Sequence, residues 1–107
     1  MSLGGSGYLV RMTIEEMMAC FEKHDDEYLK FDRVENPRHP RPDLCAFLML
    51  HDLIPSGRDM VAGAEHDEIT LDTDIEALAA VVTDGIVRDL RRCGIRLVDD
   101  SYLAMFV

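Results

Sequence analysis

The first hydrophobic stripe of the chain has helical spacing and follows a capping box. Thr13 stands three residues before Glu16, a pair in which each side chain bonds the backbone N–H of the other. Beyond Thr13, apolar residues at positions 14, 17, 18 and 21 recur at intervals of three and four. The pattern therefore predicts a helix that begins after Thr13 and reaches about Lys23.

A second apolar segment follows a loop rich in Pro and Arg. Residues 36–42 contain three prolines, which remove backbone donors and exclude a regular helix. Nine of the eleven residues from Leu44 to Ile54 are apolar, and Leu, Ala and Met dominate, which favours a helix. Because the apolar residues cover every side, we expect this helix to be central and buried. His51 lies on its stripe with Leu44 and should then be buried and bonded to a protein acceptor.

The C-terminal half contains segments with the two-residue period of strands and segments with the helical period of three to four residues. Residues 58–67 are compatible with a loop or a short helical turn. In residues 68–72 polar and apolar side chains alternate, which predicts a short strand. Two capped helical segments fill 74–93, and Gly94 follows as the residue that ends the second. Strands at 95–98 and 102–107 are joined by a three-residue turn.

These elements predict an α+β fold. An N-terminal helix pair joined by the Pro/Arg-rich loop precedes a β-α-α-β-β unit, with a small three-stranded sheet and a C-terminal hairpin. Residues 1–10 begin with MSLGGSG and are interpreted as a leader or flexible N-terminus. Residues 11–107 are then expected to form a single domain.

The charge of the chain restricts its partners. Its formal net charge is −10, and residues 59–84 contain eight acids and no Lys or Arg. This balance disfavours direct binding to nucleic acid or to an anionic membrane, and favours a basic protein partner or a cation. Three widely spaced cysteines and the absence of a long apolar run indicate a reducing, cytoplasmic location.

The dipeptide His-Asp occurs three times, which is more than composition alone predicts. Histidine and carboxylate together serve as metal ligands and as general acid–base pairs. This repetition makes a metal-dependent hydrolase one hypothesis for the function. Its candidate metal ligands are His24, His51, His66 and Asp67.

One further set of ligand types lies on the first helix. Cys20, His24 and Glu27 would share a helical face. The alternative interpretation is a solvated face with a weak Glu–His contact, which is favoured because no second ligand motif accompanies the set. The prediction from sequence is therefore that the protein contains no metal or other cofactor.

The last strand is apolar on both of its faces. A strand with one solvent-exposed face should alternate between polar and apolar residues. This segment does not, so it is expected to be central in the sheet or covered by another subunit. The second option predicts a homodimer. Its interface would include Tyr102, Met105, Phe106 and Val107.

No motif for nucleophilic or phosphate chemistry occurs in the chain. The favoured hypothesis is thus a small, acidic, intracellular protein–protein interaction module without catalysis, of the kind found among accessory proteins of phages and mobile elements. The alternatives are the metal-dependent hydrolase that uses the His-Asp pairs and an acidic mimic of DNA.

Overall fold

A computed structural model describes residues 11–106. Over this range, four α-helices and four strands follow one another in the order αα-ββ-αα-ββ, and two short 3₁₀ turns lie between the first two helices. The elements are α1 (Ile14–Lys23), α2 (Pro42–Leu53), β1 (Val61–Glu65), β2 (Glu68–Leu71), α3 (Ile75–Val81), α4 (Asp84–Arg92), β3 (Ile95–Val98) and β4 (Tyr102–Phe106). The predicted α+β class is confirmed.

The sheet is antiparallel, with the strand order β1-β2-β4-β3. The expected C-terminal hairpin is present, and β4 is a central strand that pairs with both β2 and β3. The sheet has four strands where the sequence predicted three, because residues 61–65 pair with β2. The three middle residues of this strand are small, and a bulge lies between Val61 and Gly63, so the segment shows no alternation from which a strand could be predicted.

Local signals locate most helix ends. The Thr13–Glu16 capping box is present, and Thr83 caps α4 by accepting from the N–H of Ile86. Helix α3 is capped by Asp74, one residue after the expected Thr73. Gly94 follows α4 with a φ of 95°, the left-handed conformation predicted for the residue that ends this helix.

The core lies between the helices and one face of the sheet. Leu103 and Met105 of β4 point into it, together with Leu90 of α4 and Met17 of α1. No helix within residues 11–106 is long and apolar enough to cross a membrane.

The prediction that α2 is buried on all sides is wrong, and with it the prediction for His51. The buried residues of α2 are Cys45, Ala46 and Leu50, whereas His51 is exposed. The small side chains at 45 and 46 are on the side that packs into the core. A helix that is apolar all round has no pattern that specifies its buried face, so tertiary packing selects it.

Candidate functional site

Three donors converge on one carboxylate oxygen between α1 and α4. Asp84 Oδ1 lies 2.7 Å from Lys23 Nζ, 3.1 Å from His24 Nε2 and 3.4 Å from Cys20 Sγ. The ligand-type atoms of Cys20, His24 and Asp84 all lie within 4.8 Å of one another. We call Cys20, Lys23, His24 and Asp84 the Asp84 cluster.

The helices hold this cluster from two sides. Cys20 and His24 are four residues apart, so they share the face of α1 that packs against α4. Asp84 is the first residue of α4 and follows the capping residue Thr83. A carboxylate in this first helical turn also interacts favourably with the positive end of the helix dipole. The position of Asp84 is therefore determined by the start of α4 as well as by its three donors.

The electrostatics of the cluster keep the Cys20 thiol protonated. The Lys23 ammonium and the His24 ring hold the pKa of the Asp84 carboxyl well below its usual range. Burial, together with the adjacent Asp84 carboxylate, raises the pKa of the Cys20 thiol to about 11. At neutral pH the thiol is consequently protonated, and reactivity requires the thiolate. What the cluster offers instead is one sulfur, one nitrogen and one oxygen around a common point.

Glu27 does not take the third position that the helical spacing predicted. Helix α1 ends at Lys23, and the chain continues into a 3₁₀ turn that carries Glu27 away from Cys20. Its carboxylate accepts from Arg92 Nε at 2.9 Å and also bonds Arg33, and the Arg92 bond lowers the pKa of Glu27. The third ligand type comes from Asp84, sixty residues from His24 along the chain.

The other candidate ligands stay apart from the cluster. His66 and Asp67 form the turn between β1 and β2, with His66 at a φ of 58° and its side chain 87 % exposed. His51 lines a surface pocket together with Ile54 and Met60. Within residues 11–106, the group formed by Cys20, His24 and Asp84 is the only one of three or more Cys, His or acidic side chains spaced to share a metal ion. The three His-Asp pairs thus do not build one centre.

The three cysteines are free and buried. Cys45 and Cys93 lie next to each other in the core, where burial raises the pKa of the Cys93 thiol. Cys20 differs from them because its sulfur faces a carboxylate.

The second candidate surface is the side of the sheet that the helices do not cover. We call it the open face. On β4 it carries Tyr102, Ala104 and Phe106, which alternate with the two core residues. Phe106 is 50 % exposed and Tyr102 is 37 % exposed. Met105 points the other way and is 2 % exposed, so it belongs to the protein's own core, and Val107 lies outside the described residues.

An ion pair crosses the middle of the open face. Arg96 on β3 is opposite Ala104, and its guanidinium reaches over β4 to the carboxylate of Glu68 on β2. The same guanidinium lies 4.6 Å from the centre of the Phe106 ring. Ala104 is fully buried, consistent with its place beneath this bridge. Among the described residues, Arg96 Nε is buried without a hydrogen-bond partner.

Carboxylates lie near both ends of β4. Glu65 is the cross-strand neighbour of Glu68, which itself pairs with Phe106. At the other end, Tyr102 follows a turn that contains Asp99 and Asp100. Within residues 11–106, none of Glu65, Asp99 and Asp100 lies within ion-pair distance of a Lys or Arg.

Most cations of the protein are neutralised internally. Across residues 11–106, every Lys and Arg except Arg11 and Lys30 lies in an ion pair with a carboxylate. More than half of the 21 acidic residues have no such partner over the same range. The field outside the protein is therefore dominated by negative charge.

Comparison of the chain with protein-family models, with curated protein sequences and with solved structures finds no match.

Proposed function

We propose that this domain is a protein–protein interaction module without catalysis, and that it binds a basic protein segment through the open face. The observation that carries the proposal is the pairing of exposed aromatic side chains with unpaired carboxylates. Phe106 and Tyr102 stand on the same face of one central strand, and acidic residues lie at both ends of that strand.

The residue types on this face are those that anchor interfaces. Tyr, Phe and Arg are enriched in protein interfaces, and Tyr and Arg also among the side chains that contribute most to binding. Phe106, Tyr102 and Arg96 stand together here, with Phe106 and Arg96 already in contact. The Arg96–Glu68 pair is preformed, so a partner would not need to order these two long side chains.

The charge distribution favours a basic segment over a second copy. Two copies packed face to face would bring Glu65 and Glu68 of both chains to one interface. Like charges at the rim of an interface oppose association. A segment rich in Lys and Arg would instead gain from these carboxylates and be steered toward them. The homodimer expected from the sequence is the competing occupant of the same surface.

The hypothesis of a DNA mimic shares the basic partner but relies on different side chains. A mimic would present carboxylates in place of phosphates, and the binding would not depend on Phe106 or Tyr102. The hydrolase hypothesis receives less support, because the His-Asp pairs do not converge.

A charge-neutral substitution separates these hypotheses. Binding of a fluorescent amphipathic Lys/Leu peptide is measured by anisotropy, with a Glu/Leu peptide of equal length as the comparison. We expect the Lys/Leu peptide alone to bind. Phe106→Ser should weaken the affinity for this peptide about tenfold, which corresponds to about 1.4 kcal/mol. The substitution removes the aromatic contact and leaves the net charge of the protein unchanged.

Val81→Ser is the matched control, since Val81 is a similarly exposed apolar residue on α3. It should leave the affinity unchanged. Equal affinity of the wild type and Phe106→Ser would favour the mimic and reject the open face as the docking site. Sedimentation at twice 12.1 kDa, abolished by Phe106→Ser, would identify a second copy as the occupant and overturn the basic segment.

A further inference from the structure

We propose that Cys20, His24 and Asp84 form a binding site for one Zn²⁺ ion between α1 and α4. The inference is independent of the open face, which involves none of these residues. Its basis is the convergence of three different ligand types from two helices on a common point. This arrangement differs from a group of acids on one surface, because each side chain supplies a different donor atom.

The two separations from Asp84 Oδ1 fit tetrahedral zinc, and the third, between Cys20 and His24, is within 4.8 Å. Zn–S, Zn–N and Zn–O bonds of about 2.3, 2.05 and 2.0 Å at tetrahedral angles place the S and O atoms about 3.5 Å apart and the N and O atoms about 3.3 Å apart. The separations from Asp84 Oδ1 are 3.4 Å to Cys20 Sγ and 3.1 Å to His24 Nε2. An ion can therefore enter the cluster after side-chain adjustments of a few tenths of an ångström at these two separations.

The donor set favours zinc and other transition metals over Mg²⁺ and Ca²⁺. Thiolate and imidazole are ligands of zinc and of other transition metals, whereas Mg²⁺ and Ca²⁺ require oxygen ligands. Binding displaces the thiol proton of Cys20 to solvent, since the thiolate is the ligand, and requires the neutral His24 tautomer with its proton on Nδ1, so that Nε2 is free to bind the ion. The resulting set of one thiolate, one imidazole and one carboxylate leaves the fourth tetrahedral position to water.

Solvent can reach that fourth position. The side chain of Asp84 is half exposed and that of His24 is partly exposed, while Cys20 forms the buried floor of the site. Structural zinc centres use four protein ligands, whereas this site has three and leaves one position to water. The site is thus of the open type.

Lys23 is the group that zinc must displace. Its ammonium occupies the same Asp84 oxygen, yet 64 % of its side chain is exposed. An exposed ion pair of this kind is weak, and the flexible side chain can move into solvent. Removal of the Lys23 charge should therefore strengthen metal binding. If the cluster only joined the two helices, the same change would only lower the stability of the protein.

Cobalt titration of the chelator-treated full chain tests the site. Co²⁺ in place of Zn²⁺ should produce a sulfur-to-metal charge-transfer absorption, which one equivalent of Zn²⁺ should abolish. Cys20→Ser should remove this band, and Asp84→Asn should weaken Co²⁺ binding at least tenfold. Lys23→Gln should strengthen it about threefold or more, because a positive charge leaves the site.

His51→Gln and His66→Gln are the matched controls, since both histidines are exposed and lie outside the cluster. They should bind Co²⁺ as the wild type does. Far-ultraviolet circular dichroism establishes that each variant is folded. The absence of the band in the folded wild type would overturn the proposal, as would a band that survives Cys20→Ser or is lost in either control.

Discussion

At the scale of single residues, the chemistry of this protein is concentrated on Asp84. One of its oxygens receives donors from Lys23, His24 and Cys20, and these contacts join the end of α1 to the start of α4. The donors stabilise the ionised carboxylate, so the pKa of Asp84 is lowered in the folded state. A carboxylate of this kind contributes stability above its unfolded pKa and loses it as the pH falls through the folded value.

Asp84→Asn should accordingly reduce stability in a pH-dependent manner. At pH 7 we expect a loss of about 1 kcal/mol, because solvent screens a carboxylate that is half exposed. The difference from the wild type should shrink as the pH falls below about 4, the unfolded pKa of Asp. Urea unfolding at pH 7 and at pH 3 measures it. A deficit that is equal at both pH values would contradict the assigned role of the charge.

At the scale of elements, the end of α4 depends on backbone conformation. Gly94 has a φ of 95°, and its N–H donates to the carbonyl of Arg91. A Cβ built at Gly94 would lie 3.0 Å from Leu29 Cδ2, the end of an exposed and flexible side chain. The conformation, more than the space, is therefore what requires glycine here.

Gly94→Ala should lower the free energy of unfolding by about 1 kcal/mol or somewhat more, the cost of a left-handed residue with a side chain. Gly57→Ala provides the control, because its Cβ would meet nothing within 4 Å and its φ is not left-handed. That variant should be neutral or slightly stabilising. Thermal unfolding of the two proteins compares them, and equal destabilisation would remove the conformational explanation.

At the scale of the whole molecule, negative charge is in excess. The internal ion pairs use most of the Lys and Arg residues, and the remaining carboxylates repel one another across the surface. Such self-repulsion destabilises a compact state and is screened by salt. Exposed ion pairs, which salt also weakens, contribute little each.

We therefore expect the melting temperature to rise when NaCl increases from about 0.05 M to about 0.5 M, since the Debye length falls well below 10 Å. Differential scanning fluorimetry at constant pH measures the change. A melting temperature that falls with NaCl would mean that the ion pairs outweigh the repulsion. It would also weaken the argument that the excess charge is available to a basic partner.

Features specified within a few residues could be predicted from the sequence alone. The Thr13–Glu16 capping box, the left-handed Gly94, the helical pair in 74–93 and the C-terminal hairpin all have local causes. Hydrogen bonds to a cap or the allowed φ of one residue act over three or four positions, and the pattern in the chain records them directly. The α+β class follows from these elements.

The candidate site depended on contacts that no local pattern contains. Helical spacing predicts that Cys20 and His24 share a face of α1. Asp84 joins them only because α1 packs against α4. The exposed position of His51 and the pairing of β1 were likewise decided by packing, because an all-apolar helix and a strand of small residues carry no preferred face. Sequence thus determined the four helices and three of the four strands, and tertiary structure decided which of their side chains meet.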